Sequence, residues 1–264
     1  MTLAARIEGV GLLGPGLSGW PQARAILTGN AAYEAAPTVL PAAELLPPNE
    51  RRRAGKCVRL SLAAGLEAAR ASGRAPSGLA PIFTSSSGEG ENCHVICEAL
   101  ASDDRLISPT RFHNSVHNAP VGYWGIATGA TQATDCLGAF DASFGAGLLE
   151  ALGRLAAHPA QPVLLVAYDA PYPEPLNAKR PLPDAFAIAL VMVADGPAAT
   201  GPRIGLRTTT NAATTLANAP LEALRRAIPA ARALPLLERI ARGEAGRVVI
   251  EYLDDLALEL EVAP

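Results

Sequence analysis

The 264 residues carry 22 Lys and Arg against 25 Asp and Glu, a formal charge of -3, with no long run of either sign. That balance excludes the basic footprint of a nucleic-acid binder, and 49% hydrophobic residues over this length can bury the core of one domain. Met1 to Leu13 lacks the basic and apolar regions of a signal peptide, no run approaches the ~18 apolar residues of a membrane span, and four cysteines are too few for a disulfide framework. A cytoplasmic protein without membrane insertion is expected.

In chain order, alternation over Ala5 to Leu13 predicts a strand that the following Gly/Pro turn ends. Trp20 to Leu27 reads as a short helix and the four prolines between Ala35 and Pro48 as an irregular connection. Glu50 to Ala71 has helical spacing, with Val58, Leu62, Leu66 and Ala69 on one stripe. Arg51, Arg52 and Arg53 read as its solvated start, with a docking spot for an acidic carrier or phosphate as the alternative. A strand over Leu79 to Thr84 precedes a Ser/Gly loop and a helix through Leu100; Ser108 to Asn114 breaks the helical pattern, and Ser115 to Ala127 resumes it. Thr134 to Gly153 is a turn feeding a helix of small residues. Pro162 to Ala170 and Ala185 to Asp195 are short and wholly apolar, as strands buried on both faces are. Pro220 to Gly243 is helical with a break at Pro229, and the end is a hairpin turning at Asp254 and Asp255, with Leu256, Leu258, Leu260 and Val262 alternating against Ala257, Glu259 and Glu261.

Several constellations could carry chemistry. Cys93 and Cys97, then His113 and His117, have the i, i+4 pairing of a zinc finger, but a large apolar domain needs no metal staple, and no metal or cofactor is expected. The loop SSSGEGEN is only a partial phosphate loop, and Glu89 and Glu91 repel an anion. Around the 134–153 turn the candidate nucleophiles are Cys136 and Ser143, with His113 or His117 as base, in an acyltransferase or hydrolase. Asp141 occupies the helix entrance, where a carboxylate reads as an N-cap worth ~1 kcal/mol.

Taken in order, IEGVGLLGPGLSGW, RRRAGKCVRLSLAAGLEA, IFTSSSGEG, SVHNAPVGYWGIATG and RPLPDAFAIALVMVAD resemble the N-terminal part of the beta-ketoacyl synthase family. The resemblance implies a thiolase-like layered α/β/α fold, truncated relative to a full ketosynthase, as one domain over residues 1–264 with divergent helices and a β-hairpin over 202–264. Aligning Asn118, Gly122, Ile126 and Gly129 on the family pattern carries its nucleophilic cysteine onto Asp141, with Cys136 five places early. Neither of the family's C-terminal histidine motifs is present. The wording is similar to that of chain-length factors, and within them to the small ketosynthase-like subunit of aryl polyene biosynthesis. The implied role is a non-catalytic subunit of a heterodimer with a ketosynthase whose acyl tunnel it shapes, an acyl carrier protein being at most an indirect partner. Ser115, Val116, His117, Asn118, Tyr123 and Trp124 are the expected interface, with the two aromatics as anchors and Asn118 holding the adjoining loop; core packing is the alternative for the aromatics.

Overall fold

The computed structural model describes residues 3–264. Strand β1 (Leu3–Gly14) leads through the two-residue β2 (Leu17–Ser18) into helices α1 (Trp20–Leu27), α2 (Pro48–Arg53) and α3 (Lys56–Ser72). After β3 (Ala80–Thr84) come α4 (Gly90–Ala101), α5 (Pro109–Asn114) and α6 (Ala119–Thr128), then β4 (Asp135–Leu137), α7 (Ser143–Ala157) and β5 (Val163–Asp169). The chain continues through α8 (Leu176–Lys179), β6 (Phe186–Ala194), β7 (Arg203–Thr209), α9 (Ala219–Ala227), α10 (Leu234–Arg242) and the hairpin β8 (Gly246–Leu253) and β9 (Leu256–Ala263).

All the strands join one mixed sheet in the order β4-β3-β5-β6-β1-β7-β9-β8, with β2 attached to β1. β3 runs parallel to β4 and β5, and the remaining pairs are antiparallel. Every residue of β5 is buried, and its side chains alternate between two cores: Val163, Leu165 and Ala167 meet one, Leu164, Val166 and Tyr168 the other. α3 and α6 cover the second core, while α1, α7, α10 and the 3₁₀ turn Pro229–Ala233 cover the first. The sheet is therefore sandwiched between helices, as the layered α/β/α expectation required. Residues 203–209 and 246–263, the last with no sequence reading beyond a hairpin, extend this same sheet instead of forming a separate unit.

Close approach fixes how α3 sits on β1. A methyl group added at Gly11 would lie 2.0 Å from the Ala64 carbonyl oxygen, and one at Gly9 would lie 2.1 Å from that of Ala68. Only glycine lets the helix backbone rest on the strand there.

The helix expected over residues 50–71 is two helices. Ala54 is extended, and α3 starts after Gly55, so that the Cys57 amide donates to the Glu89 carboxylate at 3.3 Å. Residues 108–114 are α5 and not simply a break, because Ser108 accepts from the Arg111 amide and Pro109 stands in the first turn, where its missing N–H costs nothing. α6 begins four residues later than its spacing suggested, since Pro120 is tolerated only near a helix start. In the last strand Glu259, which alternates with the leucines, is 3% exposed and paired with Arg207 and Arg247. Strand β7 alternates only at Ile204 and Leu206, too short a pattern among two arginines and three threonines to announce it.

Candidate functional site

The turn between β4 and α7 is built from Gly138 to Ala142. Phe140 stands at its apex with φ 52, one of two non-glycine residues with positive φ among the described residues. A left-handed bulky residue stores strain of order 1–3 kcal/mol, a feature concentrated at functional turns. Its ring is 63% exposed, and the Arg180 guanidinium carbon stacks 3.5 Å from the ring centroid.

Asp141 does not cap α7: Ala142 holds the N-cap position, and no side chain caps that end. The carboxylate instead accepts from Arg180 Nη2 at 2.6 Å and Arg232 Nη2 at 3.3 Å, tying the turn to the loop after α8 and to the 3₁₀ turn before α10. The helix begins one residue too late for Asp141 to reach its free amides, and two guanidiniums offer charge-assisted bonds in their place.

Ser143 is buried, and its hydroxyl is fully engaged within the turn, accepting from the Ala139 amide at 3.1 Å and donating to the Phe140 carbonyl at 2.7 Å. Cys136, on β4, donates its thiol to the His117 carbonyl at 3.4 Å, and burial pushes its pKa up to about 11. The His117 ring faces elsewhere, with Nε2 3.3 Å from the Ser85 carbonyl oxygen, and His113 lies on α5. Among the described residues no histidine nitrogen bonds to either candidate nucleophile, so the nucleophile and base of the hydrolase reading are not brought together.

Cys93 and Cys97 are exposed on α4, where His94 pairs with Glu98 at 3.2 Å, and no group of three or more His, Cys, Asp or Glu among the described residues is arranged to hold a metal ion.

The six residues expected at a partner interface divide. Tyr123 and Trp124 are 1% and 0% exposed, part of the core between α6 and the sheet, where Trp124 tilts against Phe83 and fills the space that Gly65 leaves open. They are core residues of this chain and cannot serve as exposed anchors. Asn118 makes no side-chain cap; the asparagine that holds the neighbouring loop is Asn114, buried, which accepts from Tyr123 Oη at 3.1 Å and donates to the Arg53 carbonyl at 2.9 Å. Ser115 donates to the Phe112 carbonyl, and His117 turns inward to the Ser85 loop. Val116 is 48% exposed and continues into an apolar surface with Phe112 (66%) and Ile126 (49%), around a groove of about 510 Å³. β4, whose Cys136 bonds the His117 carbonyl next to Val116, is an edge strand of the sheet, with no partner on its outer side among the described residues.

Between these features lies a buried staple. Asp169, at the end of β5, accepts from Ser85 Oγ, from the Ser86 amide and hydroxyl, and from the Ala230 amide at 2.8 Å. Burial raises its pKa even against these bonds, and it raises that of Glu89 too. Phe140, Arg232 and Asp169 were not singled out by sequence reading, and Arg180 was read only as the first residue of a family-like segment. Their placement depends on segments 40 to 90 residues apart meeting at the turn, and only the left-handed backbone singles out Phe140.

A family model described as beta-ketoacyl synthase, N-terminal domain, matches residues 20–249. No curated protein matches the chain. Among solved structures, a chain of the ketosynthase (ApeO) in complex with its chain length factor (ApeC) from Xenorhabdus doucetiae is similar, at 25% identity and a TM-score of 0.74, over 98% of this chain and 99% of that one. The ishigamide ketosynthase/chain length factor aligns at 14% identity with a TM-score of 0.70, over 98% and 99%. A beta-ketoacyl synthase from Burkholderia phymatum STM815 aligns at 12% and 0.68, over 100% and 99%. The sandwiched sheet, the strand-to-helix turn at its end and the match over most of the chain agree, and the chain belongs to the beta-ketoacyl synthase family, on the thiolase-like fold of its N-terminal domain.

Proposed function

We propose that the chain is a non-catalytic, chain-length-factor-like subunit that pairs with an active ketosynthase in fatty-acid or aryl-polyene-type biosynthesis and shapes its acyl tunnel. The observation that carries this reading is the β4 to α7 turn. Its apex is Phe140 and the next residue is Asp141, the position to which motif alignment carries the family nucleophile. Neither side chain can hold an acyl group as a thioester. The two groups nearby that could be acylated are occupied, Ser143 by the turn's own backbone and Cys136 by a carbonyl in a site that disfavours the thiolate.

Pairing is supported by the apolar surface of Phe112, Val116 and Ile126, next to the open edge of β4. An exposed apolar patch with an adjoining free strand edge is the material of a protein interface. The complexes of ketosynthases with chain length factors among the similar structures supply the class of partner. A residue on this surface would enter the partner's tunnel wall and set product length by its volume. Cytoplasmic placement belongs to the same reading, with four free cysteines and no helix among the described residues long and apolar enough to cross a membrane.

The test is intact-mass analysis after incubation with an acyl-loaded carrier protein and its ketosynthase. This chain is expected to gain no acyl mass while the ketosynthase does. An acyl adduct on this chain that disappears in Cys136→Ala or Ser143→Ala would establish the acyltransferase reading instead.

A further inference from the structure

Three arginines from three separate segments surround one small cleft beside the turn. Arg180 follows α8, Arg226 lies at the end of α9, and Arg232 lies in the 3₁₀ turn before α10; with Asp141, Leu182 and Pro229 they line a space of about 200 Å³. Asp141 is the one acidic group in that lining, so the cleft keeps a surplus of two positive charges. The arginines are not equally committed. Asp141 takes Nη2 of Arg180 and of Arg232. Arg180 Nε is buried with no hydrogen-bond partner, although its stack on Phe140 holds the guanidinium in place. Arg226 is exposed and has no ion pair among the described residues, unlike its neighbour Arg225, which is buried between Glu222 and Glu251.

Two arginines on one carboxylate recur elsewhere in this chain, at Asp195 and Glu259; this cleft differs in its third guanidinium, Arg226, which pairs with no carboxylate among the described residues. Here the residual charge of two and the free third guanidinium point the same way, toward an anion entering from solvent. Guanidinium forks match phosphate oxygens bidentately, and a terminal phosphate near neutral pH carries close to two charges. We propose that Arg180, Arg226 and Arg232 form a binding site for a small phosphate monoester or free phosphate. The volume admits a phosphate group with a short substituent and not a nucleotide. A carboxylate or a phosphodiester, with a single charge, would leave the cleft under-neutralised. The site opens on the turn and not on the Phe112 groove, so it stands whether or not the chain pairs with a ketosynthase.

The probes are inorganic phosphate and methyl phosphate, set against dimethyl phosphate, acetate and chloride at matched ionic strength, with the full chain followed by calorimetric titration and thermal unfolding. Phosphate and methyl phosphate are expected to bind saturably and, at a hundred times their Kd, to raise Tm by about 5 °C; the other three should not. Arg226→Gln should weaken binding by about tenfold while leaving the Tm of the free protein unchanged, since that side chain makes no internal bond. Asp141→Asn should tighten binding by releasing Arg180 and Arg232, an effect that a purely structural cluster would not produce. Equal responses to acetate and phosphate, or phosphate binding untouched by both Arg226→Gln and Arg232→Gln, would overturn the site. Binding of methyl phosphate but not inorganic phosphate would assign the site to an esterified ligand, and equal binding of both to free phosphate as well.

Discussion

At the scale of single residues, position decides which of several reactive-looking groups is available. Cys136 has the chemistry of a nucleophile, but its sulfur donates to a carbonyl and sits where burial holds its pKa at about 11. At pH 8 about one molecule in a thousand is then the thiolate, against roughly a quarter for an ordinary cysteine. Iodoacetamide labelling followed by peptide mass spectrometry should find Cys136 far slower than the exposed Cys97, with its rate rising about tenfold per pH unit until pH approaches 11. Fast labelling of Cys136 at pH 7 would contradict the arrangement described. The same scale shows the limit of sequence reading. Asp141 and Cys136 were conspicuous by residue type, whereas Phe140 is conspicuous only by its backbone, and nothing in a hydrophobic residue between a strand and a helix announces a left-handed φ. Asp141 reads as a cap because its position along the chain fits one; two arginines 39 and 91 residues away outbid the helix amides for it.

At the scale of elements, packing rests on glycines that let helices lie directly on the sheet. Gly11→Ala would drive a methyl group onto the Ala64 carbonyl, 2.0 Å away, and neither a rotamer change nor a flexible neighbour can relieve a clash with helix backbone. A loss of about 3 kcal/mol in urea unfolding is expected, with α3 displaced from β1; a loss below about 0.5 kcal/mol would mean that the two elements are not in this contact. Most elements were legible because they obey simple patterns: α1 over Trp20–Leu27, the apolar β5 and β6, buried but for Ala194, and the terminal hairpin. The elements that escaped obey a tertiary contact instead. The break between α2 and α3 serves the Glu89 carboxylate, α5 is too short to show a helical period, and β7 is polar along half its length because arginine Arg207 pairs with Glu259 on β9. Tyr123 and Trp124 illustrate the same point, since large aromatics suit cores and interfaces alike and only burial separates the two.

At the scale of the whole molecule, the layered sheet, the N-terminal ketosynthase fold and the family were all legible from the order of short motifs, because that order reflects the topology they build. What the order could not supply is which surface remains uncovered once the chain has folded. Exposed apolar side chains of Phe112, Val116 and Ile126 line one groove, near the free edge of β4, and a second subunit would gain from burying them. The most direct measurement of the central claim is co-expression with a candidate partner ketosynthase, followed by size-exclusion chromatography with light scattering and analysis of product length. The two chains are expected to elute as one complex, and Ile126→Asp should weaken it about thirtyfold, ~2 kcal/mol, without unfolding this chain, because the side chain already faces water. Separate elution of a stable, monodisperse chain, together with products of unchanged length when it is omitted, would contradict the account.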